Sequence, residues 1–189
     1  MEDFQALQDF EKLNINWFPG HMRKALRGVG DQIKRVDVVI ELRDARLPIT
    51  SQNPDLQNLL NNKPSLILFN KSGLADSSQI KKWESKFKNE STKPFVFVDV
   101  KKRKGLSQII PISIRLVRSR WENLKRRGIR PPVLRLMVIG IPNVGKSSLI
   151  NALARRGATQ TGPKPGVTRH PEWIVPVSYT HLTLPTTPV

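Results

Sequence analysis

Short apolar runs alternate with longer stretches in which apolar residues recur at helical spacing, and this alternation organises most of the chain. Phe4, Leu7, Phe10 and Leu13 recur every three residues and predict a short amphipathic helix. A Pro19-Gly20 turn follows, then a basic stretch over residues 22–34 that reads as helical. The β-branched run VDVVIEL (36–42) predicts a buried strand, with Asp44-Ala45-Arg46-Leu47-Pro48 just beyond it. Helical NPDLQNLLNN leads to the strand PSLILF (64–69), which runs into Asn70-Lys71. Helical SSQIKKWESKFKNE leads to the strand PFVFVDV (94–100) and the basic turn Lys101 to Gly105. Residues 106–127 carry apolar positions near helical spacing, and Pro131-Pro132 ends that element. The strand LRLMVIG (134–140) then feeds a Gly-rich loop and the helix SSLINALARR.

Strands that are almost wholly apolar and alternate with helices predict an α/β fold, a mainly parallel sheet covered on both faces. Ligands of such sheets bind beyond the carboxyl ends of the strands, and each motif discussed below falls at such an end.

Charge changes the picture next. Thirty-two Lys and Arg against 15 Asp and Glu leave a net charge of +17. A field of that sign and size attracts polyanions, nucleic acid foremost and an anionic membrane surface second. The absence of cysteine excludes disulfides and thiol-ligated metal and agrees with a reducing compartment. No run approaches the ~20 apolar residues of a membrane span. The acidic beginning resembles neither a secretory signal nor a transit peptide, so a cytoplasmic location is expected. From Trp173 to Val189 no residue is charged, and SYTHLTLPTTPV (178–189) continues no pattern. That segment reads as foreign to the domain.

The chemistry-bearing pattern is Gly140-Ile141-Pro142-Asn143-Val144-Gly145-Lys146-Ser147, which fits GxxxxGK[ST] between a strand and a helix. Glycines let backbone N–H groups curl around a phosphate, and the helix N-terminus adds its positive end. Lys146 is expected at the β- and γ-phosphates and the Ser147 hydroxyl on Mg²⁺. Farther on, Thr161-Gly162-Pro163-Lys164-Pro165-Gly166-Val167-Thr168 has the character of a switch loop. The Thr168 hydroxyl is the candidate to complete the Mg²⁺ shell when a γ-phosphate is present.

Asn70-Lys71 matches the start of NKxD, the guanine-reading motif of GTPases, yet it precedes the phosphate loop by about 70 residues. With WFPGHM at 17–22, DARLP at 44–48 and GIPNVGKSS at 140–148, the chain resembles the circularly permuted GTPases of large-ribosomal-subunit assembly. Both bacterial cytoplasmic and mitochondrial-matrix members share these motifs. The resemblance covers residues 15–175 and implies an organisation into an N-terminal helix and WFPGHM segment (1–22), a GTPase domain (23–177) incomplete at its C-terminal side, and the tail 178–189. It implies GTP hydrolysed to GDP with Mg²⁺, stimulated by K⁺, on a large-subunit precursor and its rRNA, by a protein that is monomeric off the ribosome. By the same resemblance Asn70 and Lys71 hold the base, and Asp99, Val100 and Lys101 form the second base-contacting loop. Asn143 helps hold K⁺, and His21 serves hydrolysis in place of the usual glutamine. Val144, Gly145, Lys146, Ser147, Ser148, Gly166 and Thr168 surround the phosphates.

Two departures stand out. The fourth position of NKxD is Gly73, so the carboxylate that accepts from guanine N1–H and the 2-amino group is missing there. Charge-assisted bonds are worth about 1.5–3 kcal/mol each, and at least a tenfold loss of affinity is expected. Asp76, three residues on, has no feature in the sequence that makes it a substitute. No DxxG segment follows Thr168, so this stretch alone is not expected to be a competent GTPase.

Basic residues at Lys101 to Lys104, at Arg115, Arg118 and Arg120, and at Lys125 to Arg127 with Arg130 are expected to form a stripe on phosphate backbone. Two other classes fit some of these features. One is an ATP-using P-loop protein, suggested by Gly73; the other is an RNA-binding module with a vestigial nucleotide site.

Overall fold

The computed structural model describes residues 32–52, 60, 63–154 and 173–174. The opening helix, WFPGHM with His21, the helix at 53–62 apart from Leu60, and the loop carrying Gly166 and Thr168 lie outside the described residues.

Five strands form one sheet in the order β3-β2-β1-β4-β5. They are β1 (Val38–Asp44), β2 (Ser65–Asn70), β3 (Phe95–Phe97), β4 (Leu136–Ile139) and β5 (Trp173–Ile174). β1 pairs in parallel with both β2 and β4, and β2 pairs in parallel with β3. The helices are α1 (Ser77–Glu90), α2 (Ile109–Arg126) and α3 (Lys146–Ala154), with residues 32–35 also helical.

The period-2 pleat of β1 divides its side chains between two cores. Val38, Ile40 and Leu42 join Leu66, Leu68, Leu136 and Val138 under α2 and α3, through Ile109, Val117, Leu149 and Ile150. On the other face Val39 packs with Ile33, Leu60, Met137 and Ile139, while Phe69, Phe87, Phe95 and Trp83 build an aromatic cluster under α1. The expected sheet with helices on both faces is therefore present, and it presents the carboxyl ends of β1, β2, β3 and β4 along one rim.

β2 is shifted by one residue and β4 is shorter than the pattern reading at both ends, and three further differences stand out. β1 runs two residues later than its apolar run, because Arg43 and Asp44 continue the register opposite Phe69 and Asn70. Its polar residues stay buried with internal partners: Arg43 Nε donates to Glu41 Oε1 at 2.7 Å, on the same face two residues back. β3 stops at Phe97, since beyond Val98 the backbone groups leave the ladder. Ser72 N–H donates to the Val98 carbonyl, Val100 N–H turns to the Asn70 side chain, and Asp99 pairs with Lys104 in an antiparallel bridge. β5, antiparallel to β4, was not foreseen, and two residues are too short for any period to register.

Candidate nucleotide site

Loops from all four parallel strands meet at the rim, and Asn70 is the joint between them. Its Nδ2 donates to the Val144 carbonyl at 2.7 Å, and its Oδ1 accepts from Val100 N–H at 3.2 Å. One buried side chain thus ties the Gly-rich loop after β4 to the loop after β3. Gly145 has φ of 102°, and a Cβ there would overlap Asn70 Nδ2, so only glycine fits against this joint. Each amide atom keeps capacity for one further hydrogen bond.

Lys71 takes a left-handed conformation (φ 63°) as the chain leaves β2. Its Nζ donates to Asp44 Oδ2 at 2.9 Å. Asp44 also accepts from Arg46 N–H, Nε and Nη2, while its own N–H donates to Ser51 Oγ. Burial alone would raise the Asp44 carboxyl, but hydrogen bonds from Arg46 and Lys71 outweigh it and hold the group well below the usual carboxylate range. A folded pKa below the unfolded one means that Asp44 stabilises the fold at neutral pH and loses that contribution in acid. DARLP is thereby a lock on the Asn-Lys turn. Asp44 and Ser51 were absent from the sequence-based candidates; the juxtaposition of DAR and NK at adjacent parallel strand ends was the available signal.

In the Gly-rich loop, Asn143 is exposed at φ 62° and Val144 is buried with its side chain in the core. Lys146 Nζ donates to the carbonyls of Gly140 at 3.1 Å and Ile141 at 2.9 Å. Burial pushes its ammonium down to about 8. No ion pair links it to a carboxylate among the described residues. A desolvated cation with only carbonyl partners fits an incoming phosphate, which would supply the missing countercharge. Ser147 and Ser148 lie in the first turn of α3, half-buried. No group of three or more His, Cys, Asp or Glu among the described residues could hold a metal by itself.

On the base side, Asp99 is buried, Val100 packs its side chain into the core, and Lys101 is exposed on the turn. Asp76 caps α1, its Oδ1 accepting from Ser78 and Gln79 N–H. Two arginines of the basic stretches make ion pairs while staying exposed. Arg120 donates to the buried Asp37 at 3.0 Å and Arg118 pairs with Glu122, whereas Lys101 to Lys104, Arg115 and Lys125 to Arg127 are exposed. No described helix is long and apolar enough to cross a membrane.

Known proteins are similar in sequence over most of this chain. Residues 135–187 match the family model described as 50S ribosome-binding GTPase, a span that runs into the segment 178–189 set apart by composition. Ribosome biogenesis GTPase A of Bacillus licheniformis is 43% identical over 160 residues, covering 85% of this chain and 56% of that protein. Its counterpart in Bacillus pumilus is 41% identical over 162 residues, covering 86% and 57%. Mitochondrial ribosome-associated GTPase 1 of Mus musculus is 39% identical over 158 residues, covering 81% and 48%. A GDP-bound structure of TM YlqF, 27% identical, aligns with a TM-score of 0.47 over 68% of this chain and 48% of that one. The chain spans about half the length of these relatives. With the Asn-Lys turn ahead of the phosphate loop in sequence and bonded to it in space, the chain belongs to the circularly permuted GTPase family represented by these proteins.

Proposed function

We propose that the rim binds GTP and GDP and that the protein hydrolyses GTP during assembly of the large ribosomal subunit. The observation that carries this reading is the Asn70 bridge, which brings the phosphate loop and the base-side loops to one place. In this reading Asn70 and Lys71 hold the base together with the Asp99 to Lys101 loop. Lys146 and the backbone from Asn143 to Ser148, with Gly166, surround the phosphates. Ser147 and Thr168 hold Mg²⁺, and Asn143 helps hold a stimulatory K⁺. Bound Mg²⁺ neutralises charge on the β- and γ-phosphates. His21 orients the attacking water, whose oxygen bonds to the γ-phosphorus as the bond to the β–γ bridging oxygen breaks.

Exposed Lys101 to Lys104 stand on the same rim, and Arg115 with Lys125 to Arg127 extends positive charge along α2. These residues suit phosphate-backbone contact with rRNA of the subunit precursor, which positions the protein without reading sequence. We propose the cytoplasm, with the mitochondrial matrix as the alternative, and a monomer off the ribosome; similarity to bacterial proteins and to a protein named as mitochondrial supports these two choices.

The test is GTP turnover with and without large-subunit particles, over a series of salt concentrations. Particle-stimulated turnover that weakens with salt is expected, and His21→Ala should slow it without weakening GDP binding. Turnover indifferent to the particles would contradict the assembly role, and an unchanged His21→Ala rate would remove His21 from the mechanism.

A further inference from the structure

Guanine presents two adjacent donors, N1–H and the 2-amino group, and an acceptor-only carboxylate is the side chain that matches both. At the Asn-Lys turn the residue that would carry such a carboxylate is Gly73. Three aspartates lie at or just beyond the carboxyl ends of β1 to β3. Asp44 is occupied on both oxygens by Arg46 and Lys71, and Asp76 caps the first turn of α1 through Oδ1 without touching Gly73. Asp99 is different.

The Asp99 carboxylate reaches across from the loop after β3 to the Asn-Lys turn. Its Oδ2 accepts from Gly73 N–H at 3.2 Å and its Oδ1 from Lys102 N–H at 2.9 Å. A Cβ built on residue 73 would overlap Asp99 Oδ2. The carboxylate thus occupies the space in which a side chain at position 73 would begin. Two backbone N–H groups fix its orientation, and each oxygen retains a lone pair for a ligand. Gly73 and Asp99 are therefore mutually dependent: the carboxylate has this place only because position 73 has no side chain.

We propose that Asp99 is the guanine-specificity residue of this protein, its carboxylate delivered to the base edge from the β3 loop instead of from the fourth position of the Asn-Lys motif. The proposal rests on the reading that the rim binds a guanine nucleotide. It also alters the consequence drawn from Gly73 alone, since the missing acceptor is supplied from a second strand.

The experiment measures affinities of the full chain for GDP, ADP and xanthosine diphosphate by calorimetry. The variants are Asp99→Asn, Gly73→Asp and the double change Gly73→Asp/Asp99→Ala. Xanthine replaces the 2-amino donor by a carbonyl acceptor, which an asparagine amide can meet while its oxygen still accepts N1–H. Asp99→Asn is therefore expected to lose about tenfold or more in GDP affinity and to prefer xanthosine diphosphate. A merely structural lesion lowers all three affinities together and cannot reverse the order. Gly73→Asp alone should weaken GDP binding by displacing Asp99, and the double change should bind GDP more tightly than Gly73→Asp does. Selective GDP binding by the parent chain with an unchanged order in Asp99→Asn, or a Gly73→Asp variant tighter than the parent, would overturn the proposal and leave the guanine reading intact. A parent chain that takes ADP as readily as GDP would remove the guanine reading and the proposal with it.

Discussion

Lys146→Met is expected to weaken GDP binding by about 100-fold, the largest single effect at this site, while leaving the fold at least as stable at pH 7. The affinity loss follows from removing two or so charge-assisted bonds to phosphate, at about 1.5–3 kcal/mol each. The stability expectation follows from burial. In the free protein the ammonium is desolvated, its pKa lowered to about 8, and it meets only the Gly140 and Ile141 carbonyls. A lysine whose folded pKa lies below its unfolded value disfavours folding at neutral pH, and this term relaxes as pH rises from about 8 toward the unfolded value of 10.5. Binding has the opposite sign. A phosphate favours the ammonium, so above pH 8 the protein must take up a proton on binding. GDP affinity should therefore be flat below about pH 8 and fall above it, approaching tenfold per pH unit. Calorimetric titrations between pH 6.5 and 9.5, values set as about three units around the Lys146 midpoint, check both arms. The Lys146→Met variant should lose the slope as well as the affinity.

Asn70→Ala is expected to cost both stability and affinity, and the coincidence distinguishes it from Lys146→Met. Asn70 is buried and bonds to two backbone groups, the Val144 carbonyl and Val100 N–H. Truncation leaves both groups without that partner, and an unsatisfied buried polar group costs about 1–3 kcal/mol. A total near 3 kcal/mol is expected, a fall of several degrees or more in Tm for a domain of this size. Because the same bonds hold the phosphate loop against the β3 loop, GDP affinity should fall by about tenfold or more even at temperatures where the variant is folded. Thermal unfolding and GDP titration of the variant test this together. A variant that keeps full stability but loses binding would assign Asn70 to the base alone.

The fold was legible where one face of an element decides its pattern. Residues 77–90 form the helix that SSQIKKWESKFKNE predicts, because Asp76 caps its first turn and the Trp83 and Phe87 side chains share the buried face. The phosphate loop was legible because its motif is contiguous and Lys146 bonds within its own loop, although the contact of Gly145 with Asn70 is not local. What escaped the sequence depends on partners far along the chain. β1 extends through Arg43 and Asp44 because Glu41, Phe69 and Lys71 receive those charges inside the structure. Asn70 could be assigned to the base by its motif, but its bonds to Val144 and Val100 span 74 and 30 residues and have no sequence signature. Gly73 looked like a defect on its own. Only its contact with Asp99, 26 residues on, turns the absence of a side chain into room for one.

The central claim is that this rim is a guanine-nucleotide site, and a fluorescent-GDP titration of the full chain with Mg²⁺ and K⁺ tests it most directly. Unlabelled GDP should displace the probe at concentrations about tenfold or more below those of ADP, as expected when one aligned carboxylate separates the two bases. Equal displacement by ADP, or no saturable binding at all, would contradict the account.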